Sequence, residues 1–144
     1  MNDKSSATEA AGAVDPAGAG WEIIETTGFG EAIGPLWRHG DGRFGFVVGK
    51  KHLNFADILH GGTLMTLADQ AMGMTAQQAT GGKMHVTIEL NIQFVSAAHL
   101  GEFVEARCEV VRLARTLVFM QSKLCVGARI VASATGIWRI LDER

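Results

Sequence analysis

The sequence predicts an α+β domain in which an antiparallel sheet curls round one long helix. Three observations carry that prediction. A nearly unbroken apolar stretch of helical length runs from Gly61 to Thr80. Period-two alternation starts after Gly81-Gly82 and persists almost to the C-terminus. The links between the alternating segments are short, which makes a meander of consecutive strands rather than a βαβ fold.

Taken in order, the elements are these. Residues Met1 to Gly20 are rich in Ala, Gly and Ser and carry almost no large apolar side chain. Such a segment cannot offset its ordering entropy by burial, so it reads as a mobile tail, leaving 21–144 as the domain. Trp21, Ile23 and Ile24 can anchor a short element. Gly28 to Gly34 reads as a loop, and Pro35-Leu36-Trp37 starts the packed body. Arg43 to Val48 (RFGFVV) is a first strand, with aromatic and β-branched residues in weak alternation. Lys50 to Ile58 is a polar connection of functional length.

The helix over Gly61–Thr80 places Leu64, Leu67, Ala68, Ala71 and Met74 on one face, while Met65, Met72 and Ala76 extend round the other. A helix apolar on nearly every side is a buried one, and at ~1.5 Å per residue it spans just under 30 Å. Four strands follow: His85–Val95, Phe103–Leu113, Thr116–Val126 and Arg129–Leu141. Val86, Ile88, Leu90, Ile92 and Phe94 form the apolar side of the first, with Thr87, Glu89, Asn91 and Gln93 opposite. Five strands over one helix leave an open edge. A homodimer that continues the sheet is one way to cover it.

Composition bounds the function. At 144 residues the chain can bury roughly two-thirds of its unfolded surface, so it needs no disulfide or metal to hold it. A net charge of -2 gives no long-range attraction to nucleic acid or an acidic membrane. No apolar run reaches the ~18 residues of a membrane span, and the N-terminus lacks a signal peptide's charged start and apolar centre. The expectation is a cytoplasmic protein. Cys108 and Cys125 form no CxxC pattern and read as reduced core residues. His52, His60 and Asp69 lack metal-ligand spacing, and no GxSxG elbow or phosphate loop is present.

One stretch carries chemistry. His60-Gly61-Gly62 stands at the helix N-terminus, where free backbone N–H groups and the dipole favour negative charge. The glycines let a ligand approach the backbone, and a carbonyl held there would have its developing oxyanion stabilised. Read blandly, the same residues make a tight loop-to-helix turn. Asp69, nine residues after His60, is the one charged residue in the apolar segment. A carboxylate there is costly to keep ionised unless it is paired, solvated or in use. It can be a general base or a nucleophile, or it can bond a neighbouring chain or loop. Asn54 offers an amide donor, or is a turn residue.

The spacing N-x5-HGG-x6-LAD (Asn54, His60-Gly61-Gly62, Leu67-Ala68-Asp69) resembles the hotdog-fold acyl-CoA thioesterases. It is most similar to the phenylacetic-acid-degradation (PaaI-like) group of the 4-hydroxybenzoyl-CoA thioesterase superfamily. The strand VTIELNIQFVSAAHLGE looks like that group's second block, and the likeness covers Arg43 to Leu141. The resemblance implies a helix wrapped by a sheet, subunits joined edge to edge, dimers pairing as tetramers, and an active site at the dimer interface. It implies that Asp69 activates water or attacks the thioester, and that the Gly61 N–H binds the thioester oxygen. Asn54 from the facing subunit would polarise the thioester, His60 would hold the turn, and Thr87 would orient the water. Gly62 would join the substrate site.

CoA phosphates call for basic residues at the entrance, and Arg112, Arg115 and Lys123 are the candidates, unless they are ordinary surface charges. No metal or organic cofactor is implied, CoA being part of the acyl-CoA substrate. Two departures stand out: Asp57 where relatives usually have Gly, and Ala97 where Pro often follows Ser. Alternation also sets Thr87 away from Val86 and Ile88. If the apolar side faces the helix, Thr87 meets Asp69 only through the partner subunit or a local bulge. A non-catalytic acyl-CoA-binding protein is the alternative function. A dehydratase acting on hydroxyacyl thioesters is a third, and its His and acid arrangement is not found here.

Overall fold

The computed structural model describes residues 14–142. One long helix, α2 (Gly61–Ala79), lies across the inner face of a seven-stranded antiparallel sheet. The strands are β1 (Trp21–Ile24), β2 (Leu36–His39), β3 (Phe44–Val47), β4 (His85–Phe94), β5 (Phe103–Leu113), β6 (Leu117–Val126) and β7 (Arg129–Ile140). Their order in the sheet is β1-β2-β3-β5-β6-β7-β4, so β4 is an edge strand. This is the hotdog arrangement of an α+β domain.

Helix α2 is bounded as its sequence requires. His60 caps its start, and after Thr80 the backbone turns left-handed at Gly81 (φ 69°) and Gly82 (φ 89°), which glycine alone adopts at no steric cost. Leu64, Leu67, Ala68, Ala71, Met72 and Ala76 are buried against Phe44, Val104, Val118, Met120, Leu124 and Trp138. Each large side chain among them contributes about 1.5–3 kcal/mol of burial, while the alanines bring the helix axis close to the sheet. The helix is not apolar all round in its setting, however. Met65 is 37% exposed, and Asp69 and Gln70 are only half-buried. One side of α2 therefore faces outward within a single chain.

The sheet has two more strands than the sequence suggests. β1 and β2 extend it beyond β3, with Trp21 opposite His39 and Trp37 opposite Gly45. Trp21 holds this extension down by packing edge-on against Phe103, ring centroids 4.7 Å apart, with the Arg43 guanidinium 5.0 Å above its ring. Arg43 and Arg107 both bond the buried carboxylate of Glu105, each at 2.5 Å. These partners are more than 60 residues apart in sequence for Arg43 and Glu105, so no local pattern announces them.

Between β1 and β2, the expected loop contains a one-turn helix, α1 (Phe29–Ile33). Its last carbonyl, on Ile33, accepts a hydrogen bond from His52 Nε2 at 2.6 Å, a tertiary contact that fixes the turn. Of the segment read as a tail, residues 1–13 lie outside the described residues. Residues 14–20 carry a short 3₁₀ turn (Ala17–Ala19), and the carbonyl of buried Pro16 accepts from the Trp21 N–H at 3.0 Å.

The decisive irregularity is in β4. Its register with β7 runs His85↔Ile140, Val86↔Arg139, Thr87↔Trp138, then slips at Ile88 before resuming as Glu89↔Ile137 and Leu90↔Gly136. A β-bulge of one residue exchanges the two faces of a strand. The apolar set expected on one face is thus divided: Leu90, Ile92 and Phe94 share the inner face with His85 and Thr87, while Val86 and Ile88 point outward and are exposed.

Gly136, opposite Leu90 just past the bulge, has no room for a side chain. A Cβ there would lie 2.5 Å from the Trp138 ring and 2.9 Å from the Glu89 carbonyl oxygen.

Candidate active site

At the helix N-terminus the His60 side chain folds back over the first turn, its Nδ1 accepting from the Gly62 N–H at 2.9 Å. A Cβ on Gly62 would meet that nitrogen at 2.9 Å, so the glycine is what lets the imidazole cap the helix. The His60 N–H donates to the His52 carbonyl at 2.8 Å and ties the turn to the preceding connection. Gly62 was expected to serve the substrate. Its N–H is already taken by His60, and the Gly61 N–H is the donor of the turn without a partner among the described residues. The Phe94 ring covers Gly61, with Cζ 3.0 Å from where a Cβ would stand.

Asn54 turns the connection ahead of the helix. Its Oδ1 accepts from the N–H groups of Ala56 (2.9 Å) and Ile58 (3.3 Å), which assigns the amide orientation and leaves Nδ2 without a partner among the described residues. Asp57, in the same turn, has φ 58°. Glycine's usual presence there in the resembled family follows from that left-handed backbone, which Asp tolerates better than most residues.

Asp69 and Thr87 meet. Thr87 Oγ1 donates to Asp69 Oδ1 at 2.7 Å, from β4 across to α2. The bulge at Ile88 supplies the route, placing Thr87 on the inner face within one chain. They open on a cavity of about 220 Å³ whose walls include Gly73, Met74, His85 and Trp138. A larger recess, about 660 Å³, lies along β5, β6 and β7 and is lined by Lys123 but by none of the helix-borne groups. Size alone does not locate the chemistry here. The smaller cavity holds the carboxylate and its hydroxyl partner.

The basic candidates do not stay together. Arg112 pairs across from Phe119, and Arg115 sits in the turn between β5 and β6. Lys123 lies opposite Arg107, four residues further along β6, hence about 13 Å away. It therefore lies mid-strand, away from the turn that holds Arg115. The register instead brings Arg139 beside the turn, since it pairs with Leu117 on one side and Val86 on the other.

Arg139 owes that position to long-range strand pairing, which no local pattern in the sequence announces. His85 lies two residues before Thr87 and, ahead of the bulge, on the same face.

A family profile of the thioesterase superfamily matches residues 56–132. The chain belongs to the thioesterase superfamily. Among similar superfamily proteins, a proposed esterase of Pseudomonas aeruginosa is 31% identical over 115 residues, covering 76% of this chain and 86% of that protein. Acyl-coenzyme A thioesterase 13 of Homo sapiens is 33% identical over 72 residues, half of this chain and 51% of its own length. A solved conserved protein of Pseudomonas aeruginosa superposes with a TM-score of 0.74 at 25% identity, over 81% of this chain and 95% of its own. A Bacillus halodurans protein solved with CoA gives 0.65 at 28% identity, over 69% of this chain and 66% of that one. Among the described residues of this superfamily member, no helix is long and apolar enough to cross a membrane.

Proposed function

We propose that this chain is an acyl-CoA thioesterase of the PaaI-like kind, hydrolysing a thioester to a free carboxylic acid and CoA with Asp69 as the general base. The observation that carries the reading is the Thr87–Asp69 hydrogen bond at the mouth of a cavity. With Oδ1 held by Thr87, Oδ2 is left to accept a proton from water. The water oxygen adds to the thioester carbon, its proton passes to Asp69, and the C–S bond breaks to release the CoA thiolate, which takes up a proton.

The oxyanion donor on the same chain is out of reach. Gly61 stands eight residues before Asp69, about 12 Å along the helix, whereas one carbonyl group must lie within about 3 Å of both. Gly61 and the free Asn54 amide of a second copy would complete the site. The relatives' names and the CoA-bound neighbour support an acyl-CoA substrate. Arg112 and Arg115, with Arg139 brought beside their turn by strand pairing, are the candidates for holding its phosphates. Support for the homodimer comes from β4, an unpaired edge with exposed Val86, Ile88 and Phe94, and from Phe55 beside Asn54, which is wholly exposed. Pairing of dimers into a tetramer would follow the family's habit.

The test is thiol release across aliphatic and aromatic acyl-CoAs, comparing the native protein with Asp69→Ala. A loss of about 10²–10⁴ in turnover with an unchanged fold is expected. Native-like hydrolysis by the variant would sink the mechanism. A protein that binds acyl-CoA without turnover, the other reading prompted by Asp57, would release no thiol above background. The left-handed backbone at Asp57 keeps the turn that Gly would make, which favours the enzyme.

A further inference from the structure

The face of the sheet turned away from α2 carries polar rows over much of its length, such as Glu109, Gln121, Thr135 and Asn91 across the four long strands. One end of that face is different. β5 and β4 each slip by one residue, at Val111 and at Ile88, and both slips fall level with one cross-strand row. In that row Arg112 lies opposite Phe119, Phe119 opposite Ile137, and Ile137 opposite Glu89. At a bulge two residues oppose one, so Val111 joins Arg112, and Ile88 joins Glu89, on the outer face. The row thus gains an apolar side chain at each end, 59% exposed at Val111 and 55% at Ile88.

The next outer row runs Leu117, Arg139, Val86. Beyond it the Leu141 N–H donates to the Met84 carbonyl at 2.8 Å, which sets two more exposed apolar residues side by side. With strands about 4.8 Å apart and outer rows about 7 Å apart, the patch measures about 14 Å on a side.

Four cations stand in or beside it: Arg112 and Arg139 in its rows, Arg115 in the β5–β6 turn, and Lys83 next to Met84. Among the described residues none of the four takes part in an ion pair. The carboxylates nearby are Glu89, which accepts from Asn91 Nδ2, and the exposed Asp142. The chain's net charge of -2 conceals this local positive excess.

An exposed apolar patch with a charged rim marks an interaction surface. From this juxtaposition we propose that this end of the outer face seats on an anionic lipid surface. The apolar side chains enter the headgroup layer, and the guanidinium and ammonium groups meet the lipid phosphates. A second copy is the poorer occupant, because it would bring Arg112 and Arg139 against their own counterparts. Pairing of two β4 edges, by contrast, joins backbones and leaves the outer faces of both copies on one side. Two patches would then touch one flat surface and reinforce each other. Neither Asp69 nor Thr87 takes part, so the proposal stands apart from the hydrolytic reading. The same arginines are the candidates for CoA phosphates. What separates a lipid surface from a soluble phosphate is the apolar rows.

The test is flotation of the full chain with vesicles of phosphatidylcholine alone, and with vesicles in which about a third of the lipid is phosphatidylglycerol. Binding to the anionic vesicles only is expected, weakening as salt is raised. A Met84→Gln, Val111→Asn double variant keeps every charge, and its binding should be about tenfold weaker at a native melting curve and oligomeric mass. Failure of the native chain to float with anionic vesicles overturns the proposal, as does equal binding to neutral ones. Undiminished binding by the double variant overturns it too, since the cations would then act alone, as toward any phosphate. A double variant of altered oligomeric mass assigns the patch to a subunit contact, and the proposal fails.

Discussion

Thr87 Oγ1 lies 2.7 Å from Asp69 Oδ1 only because Ile88, the residue after Thr87, is bulged out of the β4–β7 ladder. Without the slip, Thr87 would share the outer face with Glu89 and Asn91. The carboxylate would then lose its one side-chain partner among the described residues. Thr87→Val removes the hydroxyl at nearly constant volume. It is expected to lower turnover about 10- to 100-fold with little change in melting temperature, because Thr87 is exposed in the single chain, whereas Thr87→Ser should recover most of the rate. Steady-state kinetics on any accepted acyl-CoA decide it. Equal rates for the Val and Ser variants would remove Thr87 from the mechanism.

Gly136 should be the structural guarantor of that contact. Its added Cβ would strike both the Trp138 ring (2.5 Å) and the Glu89 carbonyl oxygen (2.9 Å). Gly136→Ala is expected to cost about 1–3 kcal/mol of stability, seen as a fall of roughly 3–10 °C in melting temperature. Activity should fall further than stability explains at a temperature where the variant is fully folded. An unchanged melting curve would mean that the bulge does not need this glycine.

The connection before α2 should make stability depend on acid through His52. That ring is buried, accepts from the Gly49 N–H at Nδ1 (2.9 Å) and donates from Nε2 to the Ile33 carbonyl. Burial chiefly pushes its pKa below the ordinary 6.5, with the positive charge of Lys51 adding to this and the Ile33 carbonyl opposing it. The unfolded chain then binds a proton that the folded one refuses. The contribution is whole above pH 6.5 and is lost as the pH falls below it toward the folded value. Thermal melts between pH 8 and 5 should show this slope, and His52→Gln should flatten it at the cost of a lower plateau. An identical slope in the variant would assign it to other groups.

Asp57, held at φ 58°, gives a stability prediction at the turn ahead of α2. Asp57→Gly is expected to be neutral or stabilising by up to about 1 kcal/mol, whereas Asp57→Val should cost about 1–2 kcal/mol, because a β-branched residue fits the left-handed region poorly. Chemical denaturation of the two variants measures both. Equal stabilities would place the turn in a different conformation.

Much of this molecule is legible in one dimension. The apolar run closed by Gly81-Gly82 specified α2 to within a residue, and period-two alternation specified β4 to β7, because side-chain periodicity is a local property. The spacing of Asn54, His60 and Asp69 pointed to the hotdog thioesterases, and the superfamily, though not the branch, is what the profile match over 56–132 shows.

What the tertiary structure alone decided are relations between distant segments. It divided the apolar face of β4 by a one-residue slip against β7. It gave the Gly62 N–H to His60, moved Lys123 away from Arg112, and brought Arg139 into its place. It also docked β1 and β2 through Trp21 and the Arg43–Glu105 pair. Register and long-range pairing depend on which residues lie opposite one another. Alternation along a single strand is the same on either side of a bulge until the neighbouring strand is in place.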